Sequence, residues 1–500
     1  MTPASAKSPA KSLMVVGTSS HVGKSLVVTA LCRLLSRQGW RVAPFKAQNM
    51  SLNAYVTAEG GEIAYAQALQ AWAAGIEPTV LLNPILLKPQ GQMTSQVILN
   101  GRVAGTYRAG DYYEQFFAQG WQAVTDALTQ LRDPYDWLII EGAGSPAEIN
   151  LRHRDLTNMR VACHLNAPTW LVADIDRGGA LAHVVGTLQL LLPEERRLIQ
   201  GILINKFRGV RELLQPGLDW LADYTQVPIV GVLPWLDFAL PQEDSLSLIE
   251  PRREHFDSGD SKRLQIVVIH LPHIANFTDF DPLLAEPSVH LRFVKPGDLG
   301  SGDLWRGADV LILPGSKTTM ADLAALRGSG FPQRLAQFSG EIIGICGGLQ
   351  MLASRIGDPD GWEGAPGWVG GLGLLAGETV LEANKVTRQV TTQSIWPEVA
   401  PIQGYEIHQG RSTFAHSLFP LFSSPQLGVR SRDGRIWGTY LHGLFDNHLW
   451  RRQWLNRLRH QKGWDPLPLL EGHYSQQRTA LLDRLADCWE PHLDLQLWRS

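Results

Sequence analysis

Apolar and polar positions alternate in blocks along the first half of the chain. "SLMVVG" (12–17) is an apolar run that stops in a glycine-rich turn. "KSLVVTALCRLLSRQG" (24–39) follows with apolar spacing near 3.6, which predicts a helix stopped by Gly39. "RVAPFK" (41–46), "WLIIEGAG" (137–144), "PTWLVADI" (168–175) and "IQGILINKF" (199–207) predict further strands, each running into polar or glycine residues. Buried strands alternating with helices imply a parallel sheet covered on both faces. The charged, turn-rich stretch 241–262 then interrupts the pattern. A second alternating set follows: "RLQIVVIHLP", "VHLRFV", "ADVLILPGSK", "EIIGICGG" and "IWGTYLHG". Beyond about 448, "WRRQWLNRLRHQKG" and "QRTALLDRLADCWEPHL" predict helices. The expected fold class is α/β, with two doubly wound domains. The expected divisions are a disordered N-terminus (1–12), a first domain (13–240), a linker (241–262), a second domain (263–447) and a helical C-terminal extension (448–500).

Composition narrows the class. The chain has 500 residues, 44% of them hydrophobic, enough for sizeable cores. Its formal net charge of −3 gives no basic footprint for nucleic acid. Cys32, Cys163, Cys346 and Cys488 are far apart and form no CxxC pair, so neither a disulfide framework nor a zinc site is indicated. A reducing cytoplasm is the expected compartment. No signal-peptide h-region and no membrane-length apolar run is seen.

"GTSSHVGKS" (17–25) lies where a strand hands over to a helix. Gly17 and Gly23 permit tight turns. The N–H groups between them, with Thr18, can face phosphate oxygens. Lys24 can neutralise β/γ-phosphate charge, and the Ser25 hydroxyl can ligate Mg²⁺. The usual spacing GxxxxGK[ST] puts Thr18 where its first glycine belongs. A phosphate loop needs an acid near the metal, and Glu141 at the end of "WLIIE" is the candidate. Lys46 and Asn49 follow another strand and can hold γ-phosphate or an acceptor carboxylate, although a plain polar loop explains them as well. Asn205 in "LINKF" sits where an amide can read an adenine edge. Asp174, Asp176 and Arg177 in "VADIDRGG" lie at a strand end, the rim where ligands sit in open α/β sheets.

"GICGG" (344–348) has the layout G-x-C-x-G, the thiol form of the nucleophile elbow. Its glycines allow a sharp strand-to-helix turn that lifts Cys346 clear of the sheet. The helix start lowers a thiol pKa, and its N–H groups, that of Gly347 included, can hold an oxyanion. Gly315 and Ser316, after the strand "DVLIL", can complete the hole. A cysteine nucleophile wants a histidine. His442 in "GTYLHGLF" and His408 in "GYEIHQG" are the candidates, with His442 favoured by its place after a strand.

"GICGGLQML", "GYEIHQG" and "GTYLHGLF" together resemble a class I glutamine amidotransferase domain. "GTSSHVGKS" and "EGAG" resemble the dethiobiotin synthetase-like ATPases. The two in this order, with "FKAQNMSLN" and "VADIDRGG", resemble the cobyric acid synthases over roughly residues 12–445. Most amidotransferases of this class carry a glutamate two residues after the histidine, where this chain has Leu444. The resemblance implies a Cys346–His442 dyad, ATP and Mg²⁺ as cofactors and glutamine as nitrogen donor. It also implies a corrinoid acceptor, adenosylcobyrinic acid a,c-diamide, amidated at its b, d, e and g carboxylates. The rivals are a cobyrinic acid a,c-diamide synthase and, in another class, a P-loop switch ATPase carrying a catalytically silent amidotransferase-like module.

Overall fold

The computed structural model describes residues 9–91, 93–236, 238, 262–301, 307–469 and 474–495. The first sheet has six strands, in the order Ile229–Pro234, Ile199–Phe207, Thr169–Asp174, Lys11–Gly17, Trp137–Glu141 and Val42–Phe45. Every neighbouring pair is parallel. Alternation along each strand decides which side chain faces which layer. Met14, Val16, Ile140 and Leu171 enter one core, with Phe116, Leu128, Leu218 and Leu221 from the helices above. Leu13, Val15, Ile139 and Val172 enter the opposite core, with Val27, Val28 and Leu31 of the helix Lys24–Arg37. Burial on both faces is why these strands read as unbroken apolar runs.

The second sheet runs Val289–Val294, Leu264–Ile269, Val310–Leu313, Glu341–Ile345, Ile436–Thr439, Gly428–Arg430 and Phe419–Pro420. Its first five strands are parallel and its last two antiparallel. A long antiparallel hairpin, Leu375–Ser394 with Ala400–Phe414, leaves this domain and reaches toward the first.

Three sequence expectations change. The chain is ordered before residue 13: Ala10 is buried, and Lys11 and Ser12 pair with Trp137 and Leu138. Residues 1–8 of the expected disordered stretch lie outside the described residues, as do 241–261 of the linker. Within the first domain, residues 48–108 interrupt the expected alternation. Gln48–Met50, Ile85–Gly91, Thr94–Leu99 and Arg102–Arg108 form a mixed four-stranded sheet of their own. Finally, the C-terminal helices are not one appendage. His448–Gln461 sinks Trp450, Trp454, Leu455 and Leu458 into the second domain's core, whereas Tyr474–Trp489 returns Leu482, Leu485 and Trp489 to the first. Periodicity announces an apolar helix face but not which sheet will cover it.

The domains meet where the small sheets touch the hairpin. Ala54, Val56, Ala64, Leu86 and Ile98 share a core with Tyr405 and Ile407. The Ala54 N–H donates to Asn276 Oδ1 at 3.1 Å, and the Tyr405 hydroxyl donates to Ala54 O at 3.1 Å. Glu62 is ion-paired to Lys88 on its own side and to Lys385 across the seam. This seam joins the two domains through a shared apolar core and an ion-paired carboxylate.

Candidate active site

The loop 17–25 leaves the C-terminal end of a central strand. Gly23 has φ 99°, a backbone that side chains resist, and a Cβ there would lie 2.2 Å from Asn205 Nδ2. The loop is therefore packed down onto Asn205, whose Nδ2 donates to Val22 O at 2.7 Å. Its Oδ1 accepts the Lys206 N–H at 2.8 Å, so the amide ties the strand end to the loop. Lys24 Nζ donates to Ser19 O at 3.0 Å and to Gly144 O at 2.9 Å, which curls its ammonium back over the turn. Gly17 leaves room for this: a Cβ there would stand 3.0 Å from Lys24 Nζ. The Thr18 N–H donates to Val172 O, anchoring the loop's first residue to the sheet.

Glu141 is the hub of this end. It is 1% exposed. Its Oε1 accepts Ser25 Oγ at 2.8 Å and Lys46 Nζ at 2.7 Å, and its Oε2 accepts Gln70 Nε2 at 2.6 Å. A buried carboxylate requires such company. Ser25 and Glu141 present a hydroxyl and a carboxylate side by side at the phosphate loop, a donor set that suits a hard, oxygen-seeking cation such as Mg²⁺. Asn49 is buried and donates to Gln67 Oε1 at 2.9 Å. Asp174 accepts Lys206 Nζ at 2.7 Å and has Arg177 Nε at 3.8 Å; Asp176 pairs with Arg208 at 3.4 Å, on the exposed rim. Gln70 is a partner the sequence reading missed. The two amides of "YAQALQAWA", three residues apart on an otherwise apolar helix, were the available signal.

In the second domain the strand Glu341–Ile345 ends at Cys346, and the helix Gly347–Leu352 begins at once. Cys346 has φ 50° and ψ −106°, the strained backbone of a nucleophile elbow. The flanking glycines are required sterically. A Cβ on Gly348 would lie 1.9 Å from Leu313 O, and one on Gly344 would lie 2.6 Å from the Gly348 backbone. Gly347 packs against Ser316, whose N would stand 2.8 Å from an added Cβ. Gly315 and Ser316 are held in a two-residue pairing with Ile274 and Ala275. Cys346, Gly315, Ser316, Gln350, His408 and His442 line one cavity.

The two histidines separate cleanly. His408 has its ring nitrogens on Gly410 O at 2.7 Å and Glu406 Oε1 at 3.1 Å, and it stacks on Tyr440. His442 is 1% exposed, with Nδ1 2.6 Å from Asp279 Oδ2. Burial alone would lower its pKa. The Asp279 charge and hydrogen bond, helped by Cys346, outweigh burial and raise it to about 10. The dyad expected from Leu444 is thus corrected. A third group orients the imidazole, but it comes from a one-turn helix, Phe277–Phe280, on the far side of the domain's sequence. Asp279 Oδ1 also accepts the Gly443 N–H at 2.9 Å, fixing both the ring and its backbone. Leu444 itself is buried in the domain core. No local spacing ties residue 279 to residue 442, so only the fold reveals the pair.

Comparison with known proteins agrees with both halves. Residues 13–246 match the CobQ/CobB/MinD/ParA nucleotide-binding domain, and residues 265–450 match the CobB/CobQ-like glutamine amidotransferase domain. The chain is 67% identical over 497 residues to a cobyric acid synthase of Synechococcus sp. (strain JA-2-3B'a(2-13)), covering 97% of this chain and 98% of the relative. It is 63% identical to the cobyric acid synthase of Gloeobacter violaceus, covering 97% of each. A solved glutamine amidotransferase is 17% identical, with TM-score 0.28, covering 39% of this chain and 98% of that one. With near full-length identity at this level, the chain belongs to the cobyric acid synthase family.

Proposed function

We propose that the protein amidates the b, d, e and g carboxylates of adenosylcobyrinic acid a,c-diamide, using ATP and glutamine, to give adenosylcobyric acid. The observation that carries the chemistry is the strained Cys346 beside His442, itself braced by Asp279, in a domain sealed onto a phosphate-loop domain. The acceptor follows from the relatives' activity.

The division of labour follows from leaving groups. Hydroxide leaves a carboxylate poorly, whereas phosphate leaves an acyl phosphate readily. The nucleotide supplies that phosphoryl group when bound. Lys24, Ser25 and the loop's N–H groups hold and neutralise its phosphates, with Gly17, Thr18 and Gly23 shaping the turn. Ser25 and Glu141 would hold Mg²⁺, whose charge screens the phosphates. Lys46 can steady the phosphoryl or acceptor oxygens, and Asn205 fastens the loop through Val22 O and the Lys206 N–H rather than standing ready for a base. Asn49, Asp176 and Arg177 are candidates for the acceptor side.

In the other domain the Cys346 thiolate attacks the glutamine side-chain carbonyl. We assign the oxyanion to the N–H groups of Gly347 and Ser316, which pack against each other, and not to Gly315, whose N–H is taken up by its strand pairing with Ala275. His442 passes its proton to the departing ammonia and leaves a thioester, and water then releases glutamate and frees the sulfur. Asp279 keeps the imidazole in one tautomer and orientation throughout. No described helix is long and apolar enough to cross a membrane, and we place this small-molecule chemistry in the cytoplasm.

Mass spectrometry of the corrinoid after incubation with ATP and glutamine tests the reading. One mass shift is expected for each of the b, d, e and g amides. A product amidated only at a and c, from unamidated cobyrinic acid, would make the chain a diamide synthase. Absence of glutaminase activity would favour the switch ATPase.

A further inference from the structure

The glutaminase cavity contains more charge than the thioester chemistry uses. Besides Cys346 and His442 it is lined by Lys88, Lys317, Lys385 and Glu363. Two of these lysines are already committed. Glu62 takes Lys88 Nζ on one oxygen and Lys385 Nζ on the other. Lys317 is different. Its backbone N–H donates to His273 O at 3.0 Å, which fixes the residue directly after the Gly315–Ser316 oxyanion strand. Among the described residues, nothing accepts a hydrogen bond from its ammonium. The same cavity receives Asn276, which is 2% exposed and whose Nδ2 is buried without a partner. A buried donor left unpaired is costly and calls for a ligand oxygen. Glu363 completes the set: its Oε2 accepts the Met320 N–H at 3.1 Å, next to the loop that carries Lys317.

We propose that Lys317, with Asn276 Nδ2, binds the α-carboxylate of the donor glutamine and that Glu363 binds its α-ammonium, so that these residues select the amino acid while Cys346 reads only its amide. The electrostatics of the cavity agree. Burial, then the charges of Lys385 and Lys88, push the Lys317 ammonium down to about 7, with Glu363 and Glu62 opposing. Burial pushes Glu363 up to about 7, against the Met320 N–H and Lys317. Each group opposes the other's shift, but burial outweighs that attraction, and a zwitterion bound between them adds a contacting counter-charge to each.

The test separates selection from architecture. Kinetics are measured in the full chain, with ATP and corrinoid present, using L-glutamine, 4-aminobutanamide (no α-carboxylate) and glutaramate (no α-amino group). Lys317→Met should raise the KM for L-glutamine and for glutaramate about 30-fold or more, the scale for unpairing a charged contact. It should leave kcat/KM for 4-aminobutanamide within about twofold of wild type. Glu363→Gln should reverse the pattern, sparing glutaramate and penalising 4-aminobutanamide. Lys317→Arg should recover part of the glutamine affinity. If an analogue turns over too slowly, its inhibition constant against glutamine reads the same contrast, and ammonia-dependent amidation reports whether each variant is folded. Equal loss for all three amides would make Lys317 a structural residue and overturn the proposal, as would an unchanged KM for glutamine.

Discussion

The two sites are built in opposite ways. The phosphate site is contiguous: one stretch of nine residues supplies the turn, the lysine and the hydroxyl, and neighbouring strand ends add Glu141 and Lys46. The glutaminase site is gathered from residues 276–279, 315–317, 346–350, 363, 407–410 and 442, on six separate segments. The first works through backbone and fixed charge, which tolerates small errors in any one group. The second works through one sulfur and one ring whose alignment depends on all the others. Single substitutions should therefore fail differently in the two places, and the difference can be measured because ammonia bypasses one site and not the other.

The largest effect is expected at the sulfur. Cys346→Ala should cut glutamine-dependent amidation by at least about 10⁴-fold, as removal of a nucleophile does, while ammonia-dependent amidation persists. Loss of both would mean that the cysteine serves the other site. Next, Lys24→Ala should lower amidation from either nitrogen source by about 10³-fold, since stabilisation of phosphoryl charge is removed whichever donor is used. Activity retained with ammonia alone would misplace the activation step.

Asp279→Asn comes third. It keeps the shape and removes the charge that holds His442, so glutaminase turnover should fall about 10²-fold to 10⁴-fold with ammonia-dependent activity intact. A stability signature accompanies it. The His442 pKa is raised from 6.5 to about 10 in the folded protein. The imidazolium's contribution is therefore complete below about pH 6.5 and is lost as pH rises through about 10. The gap in denaturant midpoint between wild type and Asp279→Asn should be widest near pH 6 and narrow toward pH 10. A constant gap would mean that Asp279 acts only by its hydrogen bond to Gly443.

This contrast also explains what could be read from the sequence. The phosphate loop, the elbow glycines around Cys346 and the strand carrying His442 were legible because each function rests on residues close in sequence. Asp279 was not, since its partner lies in another segment and Leu444 occupied the position where an acid was sought. Gln70 and Asn276 were not, because a buried amide resembles any polar residue until its neighbours are known. The alternating pattern gave both parallel sheets but not the small sheet at 48–108, from which Leu86 and Ile98 join the seam core. Nor did it reveal that the last helix crosses back to the first domain.

That crossing helix allows the finest test. Arg33 Nε and Nη2 grip the two oxygens of Asp483 at 2.8 and 2.9 Å, joining the helix Lys24–Arg37 to the helix Tyr474–Trp489. Arg37 adds a contact to Asp487 at 2.6 Å. These pairs are part-exposed, so Arg33→Ala should cost only about 0.5–1 kcal/mol, less at high salt where the pair is screened. The apolar contacts of Leu482, Leu485 and Trp489 hold the helix without it. What matters is which domain feels the loss. Helix Lys24–Arg37 begins at the phosphate loop, so mild heating of the variant should erode ammonia-dependent amidation before glutaminase activity, and added salt should close the difference from wild type. If both activities fall together at every salt concentration, the helix serves the two domains equally and its assignment to the first is wrong.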